Sequence, residues 1–153
     1  MKPLLLLTLL GLSLPALADR LPLPASTPAS YKSECGSCHL AYPPALLGAA
    51  DWRRTLGSLK DHFGSDAEPS PAQKQEIATF LERNAGNAGK LGNAGEPPRI
   101  SNTARFVRKH DEIPKRFWRD PRVKSAANCE ACHTHAADGR YSEHDIAIPE
   151  LRE

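Results

Sequence analysis

Cys129-Glu130-Ala131-Cys132-His133 decides how the rest of this chain is read, because the same Cys-x-x-Cys-His pattern already occurs at Cys35-Gly36-Ser37-Cys38-His39. Together the two copies use all four cysteines of the 153-residue sequence. Two thiols about one helical turn apart can add to the two vinyl groups of one porphyrin, and the next residue can then turn its imidazole onto the iron. Two covalently attached c-type haems are the expectation. A single zinc held by both Cys pairs would leave the histidine after each pair unexplained. A pair of redox disulfides would leave it unexplained too.

The chain is short enough that one small domain, or two very small ones, could not bury a large apolar core from side chains alone. It has 14 prolines and 10 glycines, 25% charged residues and only 6% aromatics, which suits a loop-rich fold of short helices packed around something other than side chains. A formal net charge of +2 argues against a nucleic-acid partner.

At the start, Lys2 precedes an apolar run from Leu4 to Leu14, followed by Pro15-Ala16-Leu17-Ala18. That order matches a secretory leader cut after a small-x-small site, and the run is shorter than the ~20 residues that span a bilayer. The expectation is a signal peptide over 1–18, export to a bacterial periplasm and no stable membrane insertion. Met1 is the only methionine, so the mature chain would have no thioether to ligate iron and raise its potential. Loss of Lys2 would bring the charges close to balance, and haem propionates would make the loaded protein acidic.

Residues 19–29, with Leu21-Pro22-Leu23-Pro24 and Pro28, read as an extended lead-in without a core of its own. A first haem domain is expected over 30–85. In it a short helix carries the first Cys pair and ends before Tyr42-Pro43-Pro44. Asp51 is the expected N-cap of a second helix bearing Trp52, Leu56, Leu59 and Phe63 on one face, with His62 beside that face and Gly64 as the stop. Ser70-Pro71-Ala72-Gln73 spells a capping box with proline at the first helical position, opening a helix with Ile77, Phe80 and Leu81 inward. Over 86–96 the repeated Asn-Ala-Gly word predicts a flexible linker. A second haem domain, 97–153, follows: Ser101 is the expected cap of a helix carrying Phe106, Val107 and His110, and another short helix is expected near Val123–His133. No stretch alternates convincingly as a strand.

Six histidines are available: His39, His62, His110, His133, His135 and His144. His39 and His133 follow the cysteines directly and are the expected proximal ligands. His62 and His110 lie on or beside apolar helical faces, each 23 positions from one of them (62 − 39 and 133 − 110). A histidine on such a face is ordinarily a hydrogen-bonded core residue. Two irons lacking sixth ligands and the missing methionine change that weighing, since neutral imidazole suits haem iron. The pairs His39/His62 and His110/His133 are therefore the expected axial sets. Crossed pairing, substitution by His135 or His144, and an open or lysine-ligated iron remain as alternatives. The basic cluster Arg99, Arg105, Arg108, Lys109, Lys115, Arg116 and Arg119 reads as a solvated face with one or two propionate contacts, and Tyr31, Tyr42, Trp52 and Trp118 are candidates to pack on the porphyrins.

Several stretches beyond the haem motifs carry a resemblance. They include Tyr31-Lys32-Ser33-Glu34 before Cys35, Ala41-Tyr42-Pro43-Pro44-Ala45-Leu46-Leu47, Asp61-His62-Phe63-Gly64, Arg99-Ile100-Ser101, Arg105-Phe106-Val107-Arg108-Lys109-His110-Asp111-Glu112-Ile113 and Asn128 before Cys129. Through them the chain resembles the dihaem cytochrome c family of exported bacterial electron carriers. The resemblance implies a low-potential, low-spin protein that passes electrons to a small high-spin monohaem cytochrome c, often beside a membrane cytochrome b. It also implies that His62 and His110 are the distal ligands.

The expected molecule is thus a mostly α monomer of short helices and loops around two haems, with little or no β structure. Its expected role is one-electron transfer without substrate chemistry, through two bis-His low-spin irons. The rival class is a haem enzyme or gas sensor, peroxidase-like, in which one iron keeps an open site.

Overall fold

Ser70 sets the longest helix. In the computed structural model, which describes residues 20–143 and 146–148, its hydroxyl accepts from the Gln73 amide at 3.4 Å while the Gln73 side chain accepts from the Ser70 amide at 3.2 Å. Both reciprocal bonds of a capping box are present, with Pro71 at the first helical position, as the residues predict. The helices are α1 (Ala29–Cys35), α2 (Ala49–Gly57), α3 (Pro71–Asn84), α4 (Ala88–Leu91) and α5 (Ala104–Lys109), joined by short 3-10 turns. Among the described residues β structure is limited to isolated bridges, so the fold is mostly α.

The first core forms where α1, α2 and α3 meet. Ile77, Phe80 and Leu81 on α3 close over Trp52 and Leu56 of α2 and Tyr31 of α1, whose ring lies 4.9 Å from that of Phe80. Each large apolar side chain removed from water here contributes about 1.5–3 kcal/mol. The Trp52 indole donates to the Pro44 carbonyl at 2.8 Å, which fixes its ring within this core. A second, smaller core gathers Phe117, Val123 and Ile148.

Four local expectations give way. The N-cap of α2 is Gly48, and Asp51 sits in its first turn, bonded to Arg54. The helix stops at Gly57 because the Ser58 hydroxyl turns back onto the Arg54 and Thr55 carbonyls and competes with helical continuation. His62 and Phe63 therefore lie in the turn beyond it, and Phe63 is 45% exposed instead of core. The cap of α5 is Thr103, whose hydroxyl accepts from Phe106 N at 3.2 Å, while Ser101 lies in the 3-10 turn Ile100–Asn102. No regular helix spans 123–133. Asp120 accepts from the Arg122 amide and Ser125 from the Ala127 amide, side-chain turns that oppose helix formation, and only the 3-10 segment Cys129–Ala131 follows.

The Asn-Ala-Gly stretch carries a short helix and packs against the rest of the chain. Asn87 caps α4 by accepting from Lys90 N, Leu91 and Ala94 are buried, and Gly86 passes so close to Ala45 that a Cβ would lie 2.2 Å from its carbonyl oxygen. Each residue of the repeated word serves packing: asparagine as cap, alanine as a small core residue, glycine at a close approach.

The lead-in is likewise bound. Leu21 N donates to Gly139 O at 2.7 Å, and Gly139, at φ +70°, lies against Pro22 with no room for a side chain. The leader expected over 1–18 and His144 lie outside the described residues.

Candidate haem centres

At the first centre, α1 ends on Cys35, and the following amide, Gly36 N, donates to Lys32 O at 3.1 Å. The chain then emerges, so that Cys35 is half-buried while Cys38 and His39 are exposed. His39 Nδ1 is 2.8 Å from the Leu40 carbonyl. A carbonyl can only accept, so Nδ1 carries the proton and Nε2 holds the lone pair, the form a metal takes.

His62 faces it from the turn after α2, with ring centroids 6.3 Å apart and planes at 39°. That turn is pinned by a reciprocal backbone pair between His62 and Ser65, at 2.7 and 3.3 Å, and by Gly64 N on the Asp61 carboxylate. Phe63 adopts φ +54°, a conformation a phenylalanine rarely takes and one that costs on the order of 1 kcal/mol. Its ring lies 4.8 Å from that of His62, and the Arg99 guanidinium covers it at 3.9 Å. Burial first, then His39 and Arg99, lower the His62 pKa and so favour its neutral, coordinating form.

The second centre is a cavity with about 1180 Å³ of empty space, part of it open to solvent. Cys129, Cys132 and His133 line it together with His110, Phe106 and Trp118. His110 is the residue after α5, and its Nδ1 is 2.8 Å from Phe106 O, which again leaves Nε2 as the lone-pair nitrogen. Phe106 stacks on it at 4.0 Å and 16°, and Trp118 stands 5.9 Å away. The rings of His110 and His133 are 6.1 Å apart. Burial lowers the pKa of His110, outweighing its bond to Phe106.

A metal–imidazole bond is about 2 Å, and the ring centre lies about 1 Å further on, so one ion between two imidazoles holds their centroids about 6 Å apart. Both pairs meet that spacing. A further sign comes from Tyr141, 5.5 Å from His133, whose buried hydroxyl has no hydrogen-bond partner. An orphaned hydroxyl costs about 1–3 kcal/mol unless a bound group supplies an acceptor. The donor set, the cavity and this hydroxyl all fit a haem.

The thiols fit poorly as a converging zinc cage or as disulfide-exchange groups. Burial pushes Cys35 and Cys129 up to about 11, so with no electrophile or metal bound neither is a ready thiolate for disulfide exchange. Among the described residues no three His, Cys, Asp or Glu side chains converge to form a metal cage. His135 lies 3.7 Å from Asp138 and does not line the cavity.

Tyr42 is placed as an aromatic of the first centre, and its neighbour there is a candidate ligand side chain: it stacks on His39 at 4.8 Å and 23°. Of the basic cluster, Arg105 and Lys109 reach the second cavity, and Arg99 reaches Phe63 of the first. Sequence reasoning passes over Tyr141, and over Leu21 and Leu46, which wall the second cavity from the first half of the chain. No local spacing marks them.

The family profile for dihaem cytochrome c matches residues 31–141. The chain is similar to the diheme cytochrome c from Rhodobacter sphaeroides, at 36% identity over 76% of this chain and 98% of that one, with a TM-score of 0.67. It is also similar to the diheme cytochrome type c from Shewanella baltica OS155, at 39% identity over 79% of this chain and 92% of that one, with a TM-score of 0.69. No curated protein matches it. No helix among the described residues is long and apolar enough to cross a membrane.

Proposed function

Because the chain belongs to the dihaem cytochrome c family and carries two covalently bound c-type haems, we propose that it is a periplasmic one-electron carrier whose irons are held by His39 with His62 and by His110 with His133. The observation that carries this reading is the pair of ring separations, 6.3 and 6.1 Å, each within one haem motif's own neighbourhood. When bound, the haem supplies a ferrous/ferric couple.

The protein's own groups do the rest. Cys35, Cys38, Cys129 and Cys132 anchor by thioether bonds. The Leu40 and Phe106 carbonyls hold the Nδ1 protons of His39 and His110, which fixes each tautomer and ring plane and makes the imidazole a stronger donor. Phe106, Trp118 and Tyr141 crowd the second pair and exclude water. With an imidazole on each side of each iron, no position remains for peroxide or dioxygen, and the role is transfer rather than turnover.

The apolar leader over 1–18 and the thioether chemistry support export to the periplasm. The partners proposed on the family resemblance are a small high-spin monohaem cytochrome c and a membrane cytochrome b, met transiently by a monomer. Optical and EPR spectra of the oxidised protein test the ligation: two low-spin ferric centres, unchanged in the reduced state by CO, are expected. A high-spin ferric signal or a CO adduct at either centre overturns the carrier reading in favour of a haem enzyme or sensor.

A further inference from the structure

Tyr42 touches both centres at once. Its ring lies over the His39 imidazole, centroids 4.8 Å apart, and its hydroxyl donates to the Ala127 carbonyl at 2.5 Å, two residues before Cys129. Ring and hydroxyl therefore report to different haem motifs, the hydroxyl reaching a residue 85 positions away in sequence.

The bracket is rigid on its first-half side. The Tyr42 carbonyl accepts from the Tyr31 hydroxyl at 2.5 Å, and Tyr31 is 1% exposed and packed on Phe80. Pro43 and Pro44 follow, which confines the backbone of Tyr42 to an extended shape, and the Pro44 carbonyl is held in turn by Trp52. A side chain fixed this firmly to the first core transmits its position to whatever its hydroxyl holds. Ala127 itself is exposed and sits in an irregular segment held by short local bonds, its amide on the Ser125 hydroxyl and its carbonyl also accepting from Cys129 N at 3.1 Å. Those bonds are all local, and the Tyr42 hydroxyl ties the segment to the first half of the chain.

We propose that Tyr42 is the positioning residue that couples the two haem centres, its ring setting the plane of the His39 imidazole and its hydroxyl fastening the segment that leads into Cys129. The inference rests on His39 being an iron ligand, and it extends that reading from two separate sites to one mechanically linked pair. The ligand ring held between the Leu40 carbonyl on its edge and Tyr42 on its face has one orientation left, and orientation tunes the iron. The hydroxyl adds the distance between the centres to what this residue controls.

Two substitutions separate the roles. Tyr42→Phe keeps the ring and deletes the hydroxyl. Tyr42→Leu deletes both. In the haem-loaded protein, Tyr42→Phe should leave the first centre's EPR signal and potential in place, while the haem-methyl NMR resonances of the second centre shift and electron equilibration between the centres slows. Tyr42→Leu should in addition alter the EPR signal and potential of the first centre, and reintroducing phenylalanine should restore them. Unchanged second-centre resonances and rate in Tyr42→Phe, or an unchanged first-centre signal in Tyr42→Leu, overturn the proposal. The wild-type spectrum separates the two failures. A wild type that is not low-spin at both centres refutes the ligation, whereas low-spin centres indifferent to Tyr42 refute only the coupling.

Discussion

His110 and His133 face each other with their ring planes at 87° across 6.1 Å, nearly perpendicular. His39 and His62 stand at 39°, nearer to parallel. Relative ring orientation changes how two imidazoles share iron d orbitals, so under the proposed ligation the two centres would differ electronically despite identical ligand types. Frozen-solution EPR of the oxidised protein should show two distinct low-spin signals of equal weight. One signal accounting for both irons would contradict this geometry.

Replacing either distal imidazole by a thioether should raise the potential of one centre. His62→Met should shift the first by on the order of 100 mV upward and leave the second nearly still, and His110→Met the reverse. Redox titration followed in the Soret region reads both. If both variants keep wild-type spectra and potentials, the distal assignment fails.

Tyr141→Phe probes the orphaned hydroxyl. In the haem-loaded protein the hydroxyl should gain an acceptor, so its deletion should cost about 1 kcal/mol in denaturant unfolding and move the potential of the second centre alone. Equal stability and potentials would mean that the hydroxyl stays unpaired when the site is filled.

Gly86→Ala and Gly89→Ala distinguish an ordered from a flexible connection. At Gly86 the new Cβ meets Ala45 O at 2.2 Å and Leu91 Cδ1 at 2.7 Å, so about 1–3 kcal/mol of stability should be lost. At Gly89 the nearest atom is Asn87 Oδ1 at 3.3 Å, and alanine inside α4 should be neutral or stabilising by up to about 1 kcal/mol. Two neutral variants would restore the flexible reading. Thermal unfolding of the loaded protein is the measurement.

What the chain discloses locally, it discloses well. The capping box at Ser70 and Gln73 is written within four residues, and the helix follows. The haem motifs are equally local. Periodicity places His62 beside a helical face, yet it sits in a turn after the helix, because Ser58 ends α2 early through hydroxyl bonds that periodicity does not register. The connecting segment misleads through composition: asparagine, alanine and glycine are the residues of a loose chain unless a surface is present for them to cap and fill, and Ala94 finds one in the first core. Leu46 against the second cavity and Tyr42 against Ala127 are contacts between remote parts of the chain. Nothing near them in sequence announces the partner.

The bond from Leu21 N to Gly139 O makes the described chain a closed ring in three dimensions, with its early and late residues side by side. Leu21 is also part of the wall of the second cavity. That wall depends on a contact between residues 21 and 139, whose closure entropy must be met before it returns anything, whereas the first core joins residues 31–94. The two centres should therefore mature in sequence, the first on a partly assembled chain and the second only when the ends have met.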